Sequence, residues 1–153
     1  MTQCRPADLA DPDDQIFIVS GWSSSQRMSR DIPLVQMTDW AALWHPVVRA
    51  VLARPRSQTL VAHGALRQGF ICFEHSAIGN PPLVNYVYVA QPYRRQGIAS
   101  GLFAAADIDP ASRFEYACRT KMSWELLEQH RKAPLAGYNP FRARFAEEER
   151  TRP

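Results

Sequence analysis

Residues 83–106 read LVNYVYVAQPYRRQGIASGLFAAA, and this stretch predicts a strand, a basic loop and a helix in direct succession. The run LVNYVYV (Leu83–Val89) is rich in the β-branched and aromatic residues that strands favour. The run RRQGIA (residues 94–99) is basic and holds Gly97, and the next residues have a helical composition. A strand that turns through such a loop into a helix points backbone N–H groups and the positive end of the helix dipole at one spot. We therefore predict an anion site here that suits a pyrophosphate.

The composition is that of a single soluble globular domain. The 153 residues are 46% hydrophobic and 22% charged, and a chain of this length buries about two-thirds of its unfolded surface. The net charge is +3, but the basic residues are spread out, which disfavours a nucleic-acid binder. There is no long apolar run and no N-terminal signal pattern, so we expect a cytoplasmic protein without a membrane partner. We place the domain over residues 15–146 and a charged tail over residues 147–153.

The three cysteines, Cys4, Cys72 and Cys118, show no spacing typical of zinc ligands or of a disulfide framework. We predict reduced thiols and no metal site. Cys118 has no His or Asp partner near it in sequence, so buried filler is a better interpretation than an acyl-accepting nucleophile.

The N-terminal half predicts a loose start and then one strand. Residues 1–14 are polar and contain Pro6 and Pro12, which predicts a flexible lead-in. The run IFIVS (residues 16–20) has the composition of a strand. Residues 22–31 predict either a short helix or an ordered loop.

Apolar residues recur at helical spacing from Trp40 to Leu52. This pattern predicts an amphipathic helix with Thr38 or Asp39 as its N-cap. Pro46 lies inside the pattern, so the helix either kinks there or gives way to a second segment.

The remaining pattern predicts a mixed sheet. Residues 59–63 and 69–74 are short apolar runs separated by a turn-length gap, which predicts a hairpin. Residues 113–119 predict a strand and residues 124–132 a helix, and the stretch 134–145, which is broken by Pro134, Gly137 and Pro140, is predicted to end in a last strand. The order strand, helix, three strands, helix, strand, helix, strand favours an α/β fold with helices on the faces of the sheet.

Residues 83–106 resemble GCN5-related N-acetyltransferases, the GNAT superfamily. The matching parts are the strand ending in YVYV, the spacer AQPY, the hexapeptide RRQGIA, which fits the family pattern Gln/Arg-x-x-Gly-x-Gly/Ala, and the helix ASGLF. The resemblance implies the GNAT fold, a central mixed twisted sheet with helices on both faces, and acetyl-CoA as co-substrate. The chain is also similar to small GNAT-like proteins encoded by bacteriophages, through Trp22 and through Tyr138, Asn139, Pro140 and Phe141.

The resemblance also implies which residues hold acetyl-CoA. The pantetheine arm would lie along Val87, Tyr88 and Val89, where two central strands splay apart, and the backbone N–H of Val89 would stabilise the oxyanion. The pyrophosphate would lie on Arg94, Arg95, Gln96, Gly97, Ile98 and Ala99. The alternative for this loop is an ordinary helix N-terminus with two solvated arginines.

Two side chains are candidates for acid–base chemistry because of the resemblance. Members of the family often use a Tyr after the fifth strand as the acid at the thiol, which points to Tyr138, with Tyr116 as a lesser choice. The alternative is a tyrosine packed at the rim. A carboxylate on the strand before the loop often acts as base, and this strand has none. Glu74 on the neighbouring strand is the nearest substitute, or else a strand-end charge, and His75 would point to the opposite face.

Two hypotheses about function follow. The first is an acetyl-CoA-dependent N-acetyltransferase that moves an acetyl group to a primary amine, on a small molecule or a protein, by direct attack in a ternary complex. The second is a non-catalytic GNAT-like binding module, such as a phage protein that docks on a host or virion partner and retains the CoA groove. Trp22, Trp40 and Trp44 either line an acceptor pocket or, as the helical spacing of the last two favours, belong to the core.

Overall fold

The structure, a computed structural model, describes residues 2–27, 36–76, 79–118 and 133–139. The elements are β1 (Gln3–Pro6), α1 (Pro12–Arg27), α2 (Met37–Leu52), β2 (Gln58–His63), β3 (Arg67–Glu74), β4 (Leu83–Val89), α3 (Ile98–Ala105), β5 (Phe114–Tyr116) and β6 (Ala136–Tyr138). A short 3-10 turn, Gln91–Tyr93, separates β4 from the basic loop.

The strands form a six-stranded sheet whose spatial order follows the sequence, β1-β2-β3-β4-β5-β6. Neighbours from β1 to β4 run antiparallel, whereas β5 is parallel to β4 and β6 is parallel to β5. The helix α3 makes the crossover from β4 to β5, because a parallel connection has to return over one face of the sheet. The predicted α/β class with a mixed sheet is confirmed.

Helices cover both faces of the sheet. On one face Leu102 of α3 packs in a cluster with Ile71 of β3. On the other face Trp22 of α1 packs with Phe70 and Tyr86, and α2 joins the same cluster. Alternate residues of β3 therefore point to different helical layers.

The N-terminal residues are part of the sheet, so the prediction of a flexible lead-in is wrong for residues 2–14. Gln3–Pro6 pairs antiparallel with β2. Arg5 of β1 and Arg67 of β3 both hydrogen-bond the carboxylate of Asp14, which is fully buried. These ionic contacts order a segment whose polar composition alone favours disorder.

The predicted strand IFIVS lies in the middle of α1. Asp11 begins this helix, since its Oδ1 accepts a hydrogen bond from the backbone N–H of Asp13 at 3.0 Å. Ile18 and Trp22, four residues apart, then bury one stripe of the helix against the sheet. This packing outweighs the strand propensity of Ile, Phe and Val.

The amphipathic helix is confirmed as α2, but it begins earlier than predicted. Its N-cap is Gln36, which makes no side-chain cap hydrogen bond, so the prediction of Thr38 or Asp39 is wrong. Asp39 lies instead in the first turn, where a carboxylate interacts favourably with the helix dipole. Pro46 lies within one continuous helix, on its exposed side.

The other predicted elements keep their type with adjusted bounds. The predicted hairpin is β2 and β3, β4 spans Leu83–Val89 as predicted, and the strand after α3 is shorter, Phe114–Tyr116. The predicted helix at residues 124–132 and all residues from 140 onward lie outside the described residues, and the domain limits stay a prediction. None of the described helices has the length and apolar character that a membrane span requires.

Candidate functional site

The parallel strands β4 and β5 stop pairing part-way along β4. Their register joins Leu83 to Glu115 and Val84 to Tyr116, and no further pair follows in the described part of the chain. β4 continues to Val89 and stays paired with β3 on its other side. A cleft therefore opens between the two strands, closed at the pair Val84 and Tyr116 and open towards Val89.

The edge of β4 that faces the cleft carries free backbone groups. Antiparallel partners alternate between residues that exchange hydrogen bonds and residues that point away from the partner strand. Ala90 donates its N–H to the carbonyl of Gln68 at 2.8 Å, so Tyr88 also faces β3, and the N–H groups of Val87 and Val89 face the cleft. Among the described residues, no strand pairs with β4 on this side beyond Val84, so these two N–H groups have no strand partner there.

The basic loop, residues 94–99, leads from this edge into α3. Arg95 and Gly97 have φ values of 63° and 78°, and Gly97 is the N-cap of α3. The helix makes its first backbone hydrogen bond from Gly101 to Gly97, at 3.0 Å. Where the chain is described, the N–H groups of residues 95–100 have no hydrogen-bond partner, which is the property of a backbone anion site.

Gly97 leaves room for a bulky anion at this site. A Cβ built on Gly97 would meet no heavy atom within 4 Å, and glycine adopts the left-handed conformation without strain. The side chain of Gln96 turns back to the carbonyl of Pro92, at 3.2 Å. An anion that approaches the loop thus meets backbone, together with the positive end of the α3 dipole.

Arg94 connects the loop to the end of β4. Its Nε donates a hydrogen bond to the carbonyl of Val89 at 2.9 Å. The Arg94 side chain therefore lies at the open end of the cleft, whereas Arg95 is exposed to solvent.

Aromatic and small polar side chains lie on the α1 side of the cleft. Trp22 stacks on Tyr86 with ring centroids 4.7 Å apart, and the Tyr86 hydroxyl shares a 2.7 Å hydrogen bond with Ser25. Burial raises the pKa of the Cys118 thiol to about 12, so this thiol is protonated at neutral pH, which favours filler over a nucleophile. Among the described residues, no group of three or more His, Cys, Asp or Glu side chains is placed to hold a metal ion.

Helix α1 lies close against the part of β4 that borders the cleft. A Cβ built on Gly21 would lie 2.9 Å from Cε1 of Tyr88. The Tyr88 ring also contacts Phe17 and Phe70, with centroid distances of 6.0 and 5.5 Å. The glycine in the helix therefore permits the close approach of α1 to β4.

The candidate base Glu74 lies near the closed end of the cleft. Its Oε2 accepts a hydrogen bond from Nδ2 of Asn85, 3.3 Å away, and lies 3.7 Å from Nη1 of Arg54. His75 points to the other face, where its Nε2 lies 2.7 Å from the carbonyl oxygen of Ala106. Strand alternation thus separates the two side chains as expected, and the role of Glu74 as base stays a prediction.

The candidate acid Tyr138 lies on β6, one strand further from the cleft than Tyr116. The two rings are register partners with centroids 5.5 Å apart. Tyr138 is 40% exposed, whereas Tyr116 is buried on the α3 face. Since neighbouring strands are about 4.8 Å apart, β5 keeps the backbone of Tyr138 about 10 Å from β4. The role of either tyrosine as acid stays a prediction.

Trp40 and Trp44 belong to the contact between α1 and α2. Their rings stack with centroids 4.8 Å apart, and Nε1 of Trp40 donates to the carbonyl of Ser23 at 2.6 Å. Trp22 and Trp40 are both buried, which favours the core interpretation over an acceptor pocket.

The sequence analysis missed two polar residues beside the cleft, Asn85 and Ser25. Asn85 is a lone polar residue in an otherwise apolar and aromatic strand, and this contrast is a signal that could have found it. Ser25 gives no such signal, because its contact with Tyr86 depends on how α1 lies on the sheet.

The arrangement of helices and strands has counterparts among solved structures. A "possible acetyltransferase" from Clostridium difficile 630 matches with a TM-score of 0.59 at 18% identity, over 91% of this chain and 93% of that chain. The GCN5-related N-acetyltransferase from Ralstonia eutropha JMP134 matches with a TM-score of 0.55 at 15% identity, over 98% of this chain and 90% of that chain. The chain has the GNAT fold. The fold that the resemblance implied is therefore confirmed.

The evidence for the GNAT fold comes from the backbone rather than from the sequence. No protein-family model matches the sequence, and no curated protein matches it. The chain spans 63% of a GNAT-family structure from Desulfovibrio desulfuricans. It spans 12% of a fungal multi-domain GH3 β-N-acetylglucosaminidase that has a GCN5-related glucosamine N-acetyltransferase region. The predicted similarity to phage-encoded GNAT-like proteins stays a prediction.

Proposed function

We propose that this GNAT-fold chain is an acetyl-CoA-dependent N-acetyltransferase, which moves an acetyl group to a primary amine by direct attack in a ternary complex. The observation that carries the proposal is the free edge of β4, which leads directly into a loop of unpartnered N–H groups within the described residues. This surface offers first an edge that pairs with amides and then an anion site. Coenzyme A has groups in the matching order, an amide-containing pantetheine arm and a diphosphate.

The backbone groups along this surface suit both parts of the cofactor. The pantetheine arm would lie along Val87, Tyr88 and Val89 and pair with the cleft-facing groups of Val87, as an extended peptide pairs with a free sheet edge, next to the ring of Tyr88. The diphosphate would lie on the N–H groups of residues 95–99, flanked by Arg94. Ile98 is buried, so it would contribute only its N–H group.

The residues around the cleft would position the two substrates and transfer protons, while acetyl-CoA supplies an activated acyl group. The N–H of Val89 would donate to the carbonyl oxygen that gains negative charge during the attack. Glu74 would take, through water, the proton that the amine loses, and Tyr138 would give a proton to the departing thiolate. Because neither side chain lies on the cleft edge itself, holding the two substrates together would provide most of the rate.

A specific observation also favours the rival hypothesis, a non-catalytic module that retains the CoA groove. The part of β4 that borders the cleft has no carboxylate, and β5 separates Tyr138 from it. Such a module would bind acetyl-CoA but would not release its thiol in the presence of amines.

Calorimetric titration with acetyl-CoA, followed by a thiol-release assay, tests both hypotheses. We expect saturable binding to the wild type, and we expect at least one of three amine probes to raise thiol release above the rate without protein. The probes are tyramine, spermidine and a peptide with a free N-terminal alanine, which represent three classes of primary amine. Binding without thiol release would favour the module, and the absence of binding would exclude both hypotheses.

Replacing Arg94 by Ala should weaken acetyl-CoA binding by about 10-fold to 100-fold. The change removes the hydrogen bond to the Val89 carbonyl and a positive charge beside the diphosphate site. Hydrogen bonds of charged groups contribute about 1.5–3 kcal/mol, which corresponds to this range. Calorimetric titration with acetyl-CoA measures the change.

Arg94 could act through its hydrogen bond to the Val89 carbonyl, which we call its bracing role, or through its positive charge alone. Two further arginine variants separate these two effects. Arg94→Lys keeps the positive charge but has no Nε donor at the same place, so it should restore little of the lost affinity. Arg95→Ala removes a neighbouring exposed charge and leaves the bond to Val89 intact, so it should cost less than Arg94→Ala. Equal losses in Arg94→Ala and Arg95→Ala would rule out the bracing role.

A further inference from the structure

The strand β4 carries a bulge where the cleft begins. Cys72 of β3 pairs with Tyr86, and Phe73 pairs with Val84, so Asn85 is the extra residue on β4. Val84 also makes the last pair between β4 and β5. A bulge bends its strand and re-aims a side chain. In this protein the bulge re-aims the side chain of Asn85, which follows Val84 at the closed end of the cleft.

The bulge directs a carboxamide into the layer below α1 and α2. Asn85 is 2% exposed, and among the buried polar side chains of the described residues it is the one that lies on a strand. Its Nδ2 lies 3.9 Å from Sγ of Cys72, on the face that also holds Tyr86. A bulge does not require a polar side chain, and a buried amide destabilises the fold unless it is hydrogen-bonded. The partner of this amide therefore indicates what it does.

The partner is the carboxylate of Glu74. Nδ2 of Asn85 donates to Oε2 of Glu74 at 3.3 Å, and the Glu74 side chain is 14% exposed. The titratable and charged groups that face this carboxylate are Arg54, with Nη1 at 3.7 Å, and the Cys72 thiol on the same strand. Glu115 lies two strands away, as the register partner of Leu83 on β5, and His75 points to the other face of the sheet. Asn85 thus links the carboxylate to the residue at which the cleft begins.

We propose that Asn85 is a positioning residue, which holds the carboxylate of Glu74 towards the closed end of the cleft so that it accepts the proton of the acceptor amine. This inference rests on the proposed acetyltransferase function. The amine nitrogen forms a bond to the acetyl carbon, and the carbon–sulfur bond breaks with its electron pair on the sulfur. One N–H proton passes through water to Glu74, because Glu74 lies at the closed end of the cleft and the Val89 N–H lies towards the open end. The strand β4 has no carboxylate of its own, and the bulge at Asn85 allows it to use the carboxylate of Glu74 on the neighbouring strand β3.

A double-variant cycle tests whether Asn85 acts through Glu74. Turnover is measured with acetyl-CoA and whichever of tyramine, spermidine and the alanine peptide the wild type acetylates fastest. We expect Glu74→Gln to lower kcat about 100-fold, as for the loss of a general base, and Asn85→Ala about 10-fold. The double variant should be no slower than Glu74→Gln alone, because the amide has no function once the carboxylate is gone. The KM for acetyl-CoA should stay within about 3-fold of the wild type in all three variants, since the loop is unchanged.

Glu115→Gln is the matched control. Glu115 is also a half-buried strand carboxylate that accepts a bond from an Asn amide at 3.3 Å, in its case from Asn139. The turnover of Glu115→Gln should stay within about 3-fold of the wild-type value, because Asn139, the amide partner of Glu115, lies on the side of β5 away from β4. Effects of Asn85→Ala and Glu74→Gln that multiply in the double variant would overturn the inference and leave the acetyltransferase function intact. A wild type that binds no acetyl-CoA, or binds it without transfer to any probe, would instead overturn the proposed function, and this inference with it.

Discussion

Replacing Gly97 by Glu is expected to abolish acetyl-CoA binding, with an affinity loss of about 1000-fold or more, because like charges brought together at a binding site cost several kcal/mol. The Cβ of the new side chain would enter the open space over the loop, so its carboxylate would stand where the diphosphate is proposed to lie. The variant should still fold, since a residue other than glycine at this positive φ costs about 1–2 kcal/mol. Calorimetric titration measures the binding, and circular dichroism confirms the fold.

Two glycine variants separate the added charge from the backbone strain. Gly97→Ala has the same strained φ but adds only a methyl group, so it should lose far less affinity than Gly97→Glu. Gly101→Glu places the same carboxylate one turn further along α3, also in open space but away from the N–H groups of the loop, and should lose far less affinity than Gly97→Glu. Wild-type affinity in Gly97→Glu would refute the assignment of the diphosphate to this loop.

Replacing Asp14 by Asn should lower the free energy of unfolding by about 2–4 kcal/mol at neutral pH, as is typical when a buried ion pair loses one partner. The carboxylate of Asp14 is fully buried and accepts hydrogen bonds from Nη1 and Nη2 of Arg5 at 2.6 and 2.8 Å and from Nε of Arg67 at 2.6 Å. The backbone N–H of Asp8 adds a fourth, at 2.9 Å. These contacts join β1, β3 and α1, and an amide cannot satisfy two guanidinium groups. Chemical denaturation measures the difference.

The effect of Asp14 should depend on pH in one direction. The hydrogen bonds from Arg5 hold the pKa of Asp14 well below its usual range, although burial opposes them. In the unfolded chain an Asp titrates near pH 3.9, so the stabilisation is complete above about that pH and is lost as the pH falls through it towards the lower pKa of the folded protein. The difference between the wild type and Asp14→Asn should therefore be largest at neutral pH and shrink in acid.

Asp13→Asn is the control for this pair of measurements. It removes the same charge from the same helical turn, but Asp13 is exposed. Its stability should stay within about 0.5 kcal/mol of the wild type, as for most surface substitutions. A similar loss in both variants would show that net charge, and not the buried contacts of Asp14, is responsible.

The strand, loop and helix from Leu83 to Ala105 could be predicted because their signals are local. The bounds of β4 follow from its β-branched and aromatic residues, and Gly97 marks the turn into α3 where the backbone requires a positive φ. The start of α1 could also have been predicted from the sequence. Asp11 followed by Pro12 is a helix-start signal, but the sequence analysis used only the strand composition of the run IFIVS.

The geometry around the cleft could not be predicted, because it depends on contacts between distant parts of the chain. The length of the cleft depends on where β5 ends at Tyr116, and nothing in the residues of β5 marks that point. The contact of Asn85 with Glu74 depends on a bulge between β3 and β4, and the burial of Asp14 depends on arginines from two other strands. Pairing over such sequence distances leaves no periodic signal in one chain.

The contact between Gly21 and Tyr88 has a consequence for the width of the opening between β4 and β5. Beyond Val84, no strand of the described residues pairs with β4 on its β5 side, and α1 packs against the Tyr88 ring on one face of this part of the strand. Any larger residue at position 21 would push that ring and tilt the half of the strand beyond Val84. The packing of α1 on β4 therefore controls the aperture between β4 and β5. A single methyl group added at position 21 would change this aperture without altering any residue that lines it.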